Sequence, residues 1–127
     1  MLRVSIWIFC GVALGGALGA SLRYLAVQLI ETPSGFPIAT LLVNILGSFL
    51  IGICYVLIME KAMISEMWRP VLMAGFLGGL TTFSAFSLEA VALFEDGRWQ
   101  MAMTYIVFST VFCIVAAFSG IQFTRAL

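Results

Sequence analysis

The sequence has no histidine and very few charged residues. Its 127 residues include six Lys or Arg and six Asp or Glu, with a formal net charge of zero. Without histidine, a histidine general base and a histidine-ligated metal site are excluded, and no basic run suggests a nucleic-acid partner. Charged residues make up 9% of the chain, whereas a soluble domain carries about 25%. With 63% hydrophobic residues, this is the composition of a polytopic membrane protein.

Cysteine is also scarce, and the three cysteines are far apart. Cys10, Cys54 and Cys113 each stand alone inside an apolar run. Their spacing fits no zinc, redox or disulfide pattern. We interpret them as small apolar packing residues.

Four apolar runs predict an all-α fold of four transmembrane helices, at about 4–30, 38–59, 70–94 and 100–123. Polar segments separate the runs: turns containing Gly or Pro at 31–37 and 95–98, and a polar, aromatic loop at 60–69. We expect residues 1–127 to form a single transmembrane domain. A signal peptide is the alternative for the first run, with Arg3 as its charged start and residues 16–20 as a cleavage site. The apolar stretch continues to Ile30, which favours a spanning helix.

The third run is interrupted at its centre. Gly78 and Gly79 are poor helix formers, and Thr81 and Thr82 carry hydroxyls that compete for backbone groups. We therefore predict a third helix that is broken near 78–82, close to the bilayer midplane. Unwound backbone at that depth is tolerated only where it is buried in protein or lines a wet cavity. Its freed carbonyls can hold a cation.

The first helix has a face of small residues that ends in a charge. Gly11, Gly15, Gly19 and Arg23 recur every four residues, and such glycine faces let helix backbones approach closely. We expect this face to receive a partner subunit. Arg23 either faces protein, water or headgroups from within the span, or snorkels from a position about two turns from the helix end.

The second helix has a polar stripe that includes Thr40 and Asn44. The primary amide of Asn44 is costly in hydrocarbon unless its donors and its acceptor are all used. Asn44 therefore either lines a polar pathway or holds two helices together.

Residues 78–86 resemble the signature of a known family. The string Gly-Gly-Leu-Thr-Thr-Phe-Ser-Ala-Phe is similar to that of the small fluoride channels (Fluc, also called CrcB), and the likeness covers nearly the whole chain. The resemblance implies an antiparallel homodimer of dual topology with two fluoride pores along the subunit interfaces. It also implies a structural Na+ at the dimer centre, held by the backbone carbonyls of Gly78 and Thr81.

The resemblance also assigns a fluoride pathway residue by residue. Phe83 and Phe86 match the pore phenylalanines, Asn44 matches the pore amide, and Arg23 belongs to a vestibule or to the interface. Ala85 departs from the pattern, because many relatives have a hydroxyl there. The polar track is assigned to Thr40, Ser84, Tyr105 and Ser109.

The chemistry of these residues agrees with passive conduction. Fluoride is strongly hydrated, so a pore must replace its water with donors such as amides, hydroxyls and aromatic ring edges. The spans have no acidic residue of the kind that proton-coupled transport usually needs, apart from Glu89. We place Glu89 near the headgroups, about 12 Å from Thr81 by helical rise.

We therefore expect a fluoride-selective passive ion channel, not an enzyme, in the inner membrane of a bacterial cell. It would export fluoride from the cytoplasm and lower its toxicity. Its partners would be a second copy of itself, fluoride and the lipid bilayer, with no nucleic acid and no organic cofactor. A small multidrug-type exporter or a non-transporting assembly subunit is the alternative. Such exporters resemble one another in a first-helix glutamate, whereas this helix has Arg23.

The distribution of Lys and Arg predicts that both termini lie in the cytoplasm. Dual topology would favour a more even distribution. The side of the termini has Arg3, Lys61, Arg69 and Arg125, and the opposite side has Arg98.

Overall fold

The computed structural model describes residues 5–30 and 32–127, and in these ranges all regular structure is helical. Arg3, used above for the signal-peptide alternative and the charge count, lies outside the described residues. The α-helices are α1 (Ile6–Leu29), α2 (Ile38–Tyr55), α3 (Gly78–Leu80), α4 (Phe83–Glu95) and α5 (Trp99–Ala126). Shorter helical pieces extend them: a π-helical turn (Val56–Glu60), a 3₁₀ turn (Glu66–Trp68) and a π-helix (Pro70–Leu77).

Four segments of the described chain are long and apolar enough to cross a membrane, which confirms the predicted number of spans. Helix α1 runs without interruption through residues 16–20, where the signal-peptide alternative needs a cleavage site. The four segments are Ile6–Leu29, Ile38–Glu60, Glu66–Glu95 and Trp99–Ala126.

Two extended residues divide the third segment. Thr81 has ψ 155° and Thr82 has φ −152° and ψ 126°, so the chain leaves helical geometry after Leu80 and returns to it at Phe83. Thr82 is the N-cap of α4, because its Oγ1 accepts a hydrogen bond from the Ala85 N–H at 3.2 Å. Threonine is one of the preferred residues at this position. The interruption of helical geometry therefore has a local cause in the sequence.

The glycine face of α1 contacts the third segment of the same chain. A Cβ added at Gly15 would lie 2.8 Å from the Val71 carbonyl oxygen, and one at Gly19 would lie 2.1 Å from the Phe76 carbonyl oxygen. The two backbones therefore touch directly. The expectation that this face receives a partner subunit is wrong, since the chain itself fills it.

Helices α2, α4 and α5 enclose the larger apolar core. Leu41 of α2, Phe86 and Leu93 of α4, and Ala102 and Tyr105 of α5 are buried against one another. This core holds α4 in a fixed position relative to α2 and α5, on the far side of the extended residues from α1.

The contact between α1 and the third segment predicts opposite effects for two neighbouring glycines. We expect Gly19→Ala to lower the free energy of unfolding by about 1–3 kcal/mol, because the new methyl group overlaps the Phe76 carbonyl. Gly16→Ala is the matched control on the same helix, since its Cβ would lie 3.7 Å from the nearest atom, the Gly75 carbonyl oxygen. Alanine favours the helix by about 1 kcal/mol at both positions. Denaturant unfolding in detergent measures the free energy of unfolding of both variants. A Gly19→Ala protein as stable as wild type would contradict the close contact.

Candidate functional site

An open cavity of about 540 Å³ borders the extended residues of the third segment. Its walls come from α2, from the two sides of the Thr81–Thr82 stretch, and from α5. No charged side chain is among its described lining residues. The lining includes Asn44, Gly78, Thr81, Phe83, Phe86 and Ser109.

The side chain of Asn44 pairs with the backbone of Thr82. Its Nδ2 donates to the Thr82 carbonyl at 3.0 Å, and its Oδ1 accepts from the Thr82 N–H at 2.8 Å. Both backbone groups of an extended residue inside an apolar segment are thereby satisfied. Among the described residues Nδ2 makes this one hydrogen bond, although it has two hydrogens. Asn44 thus holds two segments together and also lines the cavity.

Ser109 is a second polar group at the cavity. Its side chain is 6% exposed, and its Oγ has no hydrogen-bond partner among the described residues. Buried polar atoms without a partner are uncommon, and they often mark a place for water or an ion. Ser109 therefore offers a hydroxyl to whatever enters the cavity.

Phe83 and Phe86 have neighbouring rings in very different surroundings. Their centroids are 5.4 Å apart. Phe83 is 79% exposed, whereas Phe86 is 9% exposed and packs against Tyr105 in a tilted arrangement with centroids 5.2 Å apart. Both rings line the cavity, but Phe86 also belongs to the core of the bundle.

Thr40 and Tyr105 bind the carboxylate of Glu89 and do not line the cavity. Thr40 Oγ1 donates to Glu89 Oε1 at 2.7 Å, and the Tyr105 hydroxyl donates to Glu89 Oε2 at 2.6 Å. Thr40 is 3% exposed and Tyr105 is fully buried. We expected Glu89 near the headgroups, and its carboxylate turns inward between α2 and α5. An acidic residue in an apolar run is a signal for a functional role, and helical rise alone gives no direction for its side chain.

A loop covers this cluster from the end of the bundle. The ring of Phe36 packs edge-on against Tyr105, with centroids 5.5 Å apart. Arg98 donates to the Ser34 carbonyl, and Thr32 Oγ1 donates to the Phe36 carbonyl at 2.7 Å. The Arg98 bond ties the loop to the turn before α5, and the Thr32 bond is internal to the loop.

The other two side chains assigned by the resemblance lie away from the cavity lining. Ser84 is exposed, and its Oγ lies 3.2 Å from Thr82 Oγ1. Arg23 Nε donates to the Gly79 carbonyl at 3.2 Å. Of the alternatives that the sequence left open for Arg23, the structure shows contact with protein.

The carbonyls of Gly78 and Thr81 have lost their usual helical donors. The Thr82 N–H, which would donate to the Gly78 carbonyl in a continuous helix, donates to Asn44. The Ala85 N–H, which would donate to the Thr81 carbonyl, donates to Thr82 Oγ1. Free carbonyl oxygens are hard ligands, so this donor set is compatible with a hard cation such as sodium.

Comparison with known proteins identifies the family. The family model for CrcB-like protein, Camphor Resistance (CrcB), matches residues 10–121. The chain belongs to the CrcB family. This confirms the resemblance carried by residues 78–86.

Curated CrcB relatives are similar over nearly the whole chain. A protein of Saccharophagus degradans named fluoride-specific ion channel FluC is 48% identical over 124 residues, which cover 97% of this chain and 93% of the relative. Proteins of the same name from Hahella chejuensis and Ruegeria sp. are 47% and 49% identical, each over 91% of this chain and 93% of the relative. With four spans in the described residues, this CrcB chain is a multi-pass membrane protein.

Proposed function

We propose that this chain is a fluoride-selective passive ion channel. The proposal rests on one observation: hydrogen-bond donors without protein acceptors line a cavity that has no charged side chain. Asn44 offers its second N–H and Ser109 its hydroxyl, while Phe83 and Phe86 place their rings beside them. The relatives named fluoride-specific ion channels support fluoride as the ion.

These groups suit the hydration chemistry of fluoride. A small, strongly hydrated anion enters a pore only where donors replace its water. The amide and the hydroxyl provide such donors, and the electropositive ring edges provide weaker ones. Conduction needs release as well as entry. A lining without lysine or arginine avoids holding the anion too tightly.

We place the channel in the inner membrane of a bacterial cell and assign it no enzymatic activity. Hydrogen fluoride enters cells as a neutral acid and ionises inside, so fluoride accumulates in the cytoplasm. A negative-inside potential favours exit of one negative charge by about 2.3 kcal/mol per 100 mV. A passive path is therefore sufficient to lower fluoride toxicity.

The functional unit that we propose is an antiparallel homodimer of this single transmembrane domain. Phe83 lines the cavity yet is 79% exposed, so one bundle leaves the cavity open on one side. A second copy in the opposite orientation would cover it, with the helix break of each subunit near the bilayer midplane. The antiparallel arrangement comes from the family resemblance.

A structural sodium ion at the dimer centre completes the proposal. The carbonyls of Gly78 and Thr81, which lack helical donors, would hold it. When bound, the ion supplies positive charge that neutralises carbonyl dipoles at the helix ends. The residues of this chain hold those carbonyls in place through the pairing of Asn44 with Thr82.

Fluoride efflux from proteoliposomes tests the proposal, and Asn44→Asp is the decisive variant. We expect wild type to release fluoride but not chloride, as measured with ion-selective electrodes. Asn44→Asp is expected to abolish efflux, because the carboxylate removes the donors, repels fluoride and faces the Thr82 carbonyl. Unchanged efflux in this variant would show that Asn44 is not part of the fluoride pathway. Proton-driven transport of cationic dyes by wild type would favour the small multidrug-type exporter, and no flux would favour a non-transporting subunit.

The ring-edge contribution is tested separately at the two phenylalanines. We expect Phe83→Ile and Phe86→Ile each to cut fluoride flux about tenfold or more, since isoleucine fills space but has no electropositive edge. Phe118→Ile is the matched control, because Phe118 is 61% exposed on α5 and does not line the cavity. Because Phe86 is also a core residue, gel filtration must show that its variant folds. Normal flux in both variants would show that the two rings only fill space and that their edges do not contribute to fluoride conduction.

Orientation is tested by thiol labelling in sealed vesicles. With Cys10, Cys54 and Cys113 replaced by alanine, a single cysteine is introduced as Ser65→Cys or as Asp96→Cys. These exposed sites lie in turns at opposite ends of the bundle. For dual topology we expect an impermeant reagent to label about half of each variant. Complete labelling of one and none of the other would establish a single orientation.

A further inference from the structure

A cation lies at the carbonyl end of the helical stretch that precedes Thr81. Arg23 donates its Nε–H to the carbonyl of Gly79, the middle residue of α3. Carbonyls in the last turn of a helix lack intrahelical donors and carry the negative end of the helix dipole. A basic side chain that reaches them stabilises the end of the helix. Here the basic side chain comes from a different helix, α1.

The distance between Arg23 and this helix end is set by backbone contact. A Cβ added at Gly79 would lie 2.5 Å from the Gly16 carbonyl oxygen, and one at Gly19 would lie 2.7 Å from the Leu80 nitrogen. Arg23 lies one turn further along α1 than Gly19. It therefore reaches Gly79 from a helix that is held directly against α3.

We propose that Arg23 is a positioning residue for the carbonyls on either side of Gly79. By binding the Gly79 carbonyl, it removes that oxygen from the set available to an ion and fixes the orientation of the adjoining peptide groups. The carbonyls of Gly78 and Thr81, which lack their helical donors, precede and follow that of Gly79 in the chain. This inference rests on the proposed sodium site, and it assigns to Arg23 a role at the helix break.

The hydrogen bond and the charge of Arg23 have opposite effects on a nearby cation. The guanidinium charge repels sodium, so removal of the charge alone would strengthen sodium binding. Loss of the bond to Gly79 frees the helix end and weakens binding. A variant that keeps a donor without the charge therefore separates the two effects.

Glutamine and methionine form a matched pair for this purpose. The Nε2 of glutamine is as many bonds from Cα as the Nε of arginine, so it can donate to the same carbonyl. Methionine has a similar length and no donor. Arg125→Gln is the control for loss of a positive charge elsewhere, because Arg125 Nε pairs with Glu60 Oε2 at 2.9 Å, at the ends of α5 and of the π-helical turn after α2.

The experiment is thermal unfolding of the purified full-length protein in detergent, with sodium chloride replaced by choline chloride at constant ionic strength. A ligand that binds the native state raises its stability with concentration, so the sodium titration has a midpoint. We expect the midpoint of Arg23→Met to be at least about tenfold higher than that of Arg23→Gln, because the two variants lack the same charge and differ in the donor; the midpoint of Arg23→Gln is expected to lie at or below that of wild type. Arg125→Gln leaves the midpoint unchanged.

Every other result of the sodium titration either supports or overturns the positioning role of Arg23. Equal midpoints in the methionine and glutamine variants overturn the positioning role. Failure of Arg23→Met to fold, with an Arg23→Gln midpoint at or below that of wild type, supports it, whereas failure of both overturns it. If the stability of the wild-type protein does not change with sodium concentration, both this inference and the proposed sodium site are wrong. Fluoride efflux from liposomes, measured independently, still decides the channel function.

Discussion

The structure depends on the pairing between one side-chain amide and one backbone peptide. An extended residue inside an apolar segment leaves an N–H and a C=O without helical partners, and each such group costs several kcal/mol in hydrocarbon. Asn44 satisfies both groups of Thr82 at once. The Thr82 hydroxyl then caps α4. The start of α4 and the free carbonyls of Gly78 and Thr81 both follow from this arrangement.

Two polar systems of different character lie one helical turn apart along α2 and α5. At the cavity, Asn44 and Ser109 present hydrogen-bond donors that the described protein atoms leave unused. In the core, the hydroxyl groups of Thr40 and Tyr105 donate their hydrogens to the Glu89 carboxylate. A donor that is already bound to a carboxylate cannot bind an anion without first releasing it. The cavity is therefore ready for an anion as it stands, while the Glu89 cluster would need to rearrange.

Sequence alone was sufficient for the spans and for the family, because apolar length and the string at 78–86 are local properties. The cavity residues Asn44, Phe83, Phe86 and Ser109 were also named from sequence. What could not be read from sequence was the partner of each group. The glycine face of α1 showed that a backbone would approach closely, but not that it would be Val71 and Phe76 of the same chain. Likewise, helical rise gave the distance of Glu89 from Thr81 but not the direction of its carboxylate.

The backbone contact between α1 and the third segment has a mechanical consequence. Most helix pairs meet through side chains, whose rotamers can adjust when one helix moves. Where Gly19 meets Phe76 and Gly79 meets Gly16, there are no rotamers to adjust, and little side-chain entropy is lost when the contact forms. A shift of the peptide groups around Gly79 would therefore displace α1 as a rigid rod, carrying any change at the extended residues to the surface of the protein.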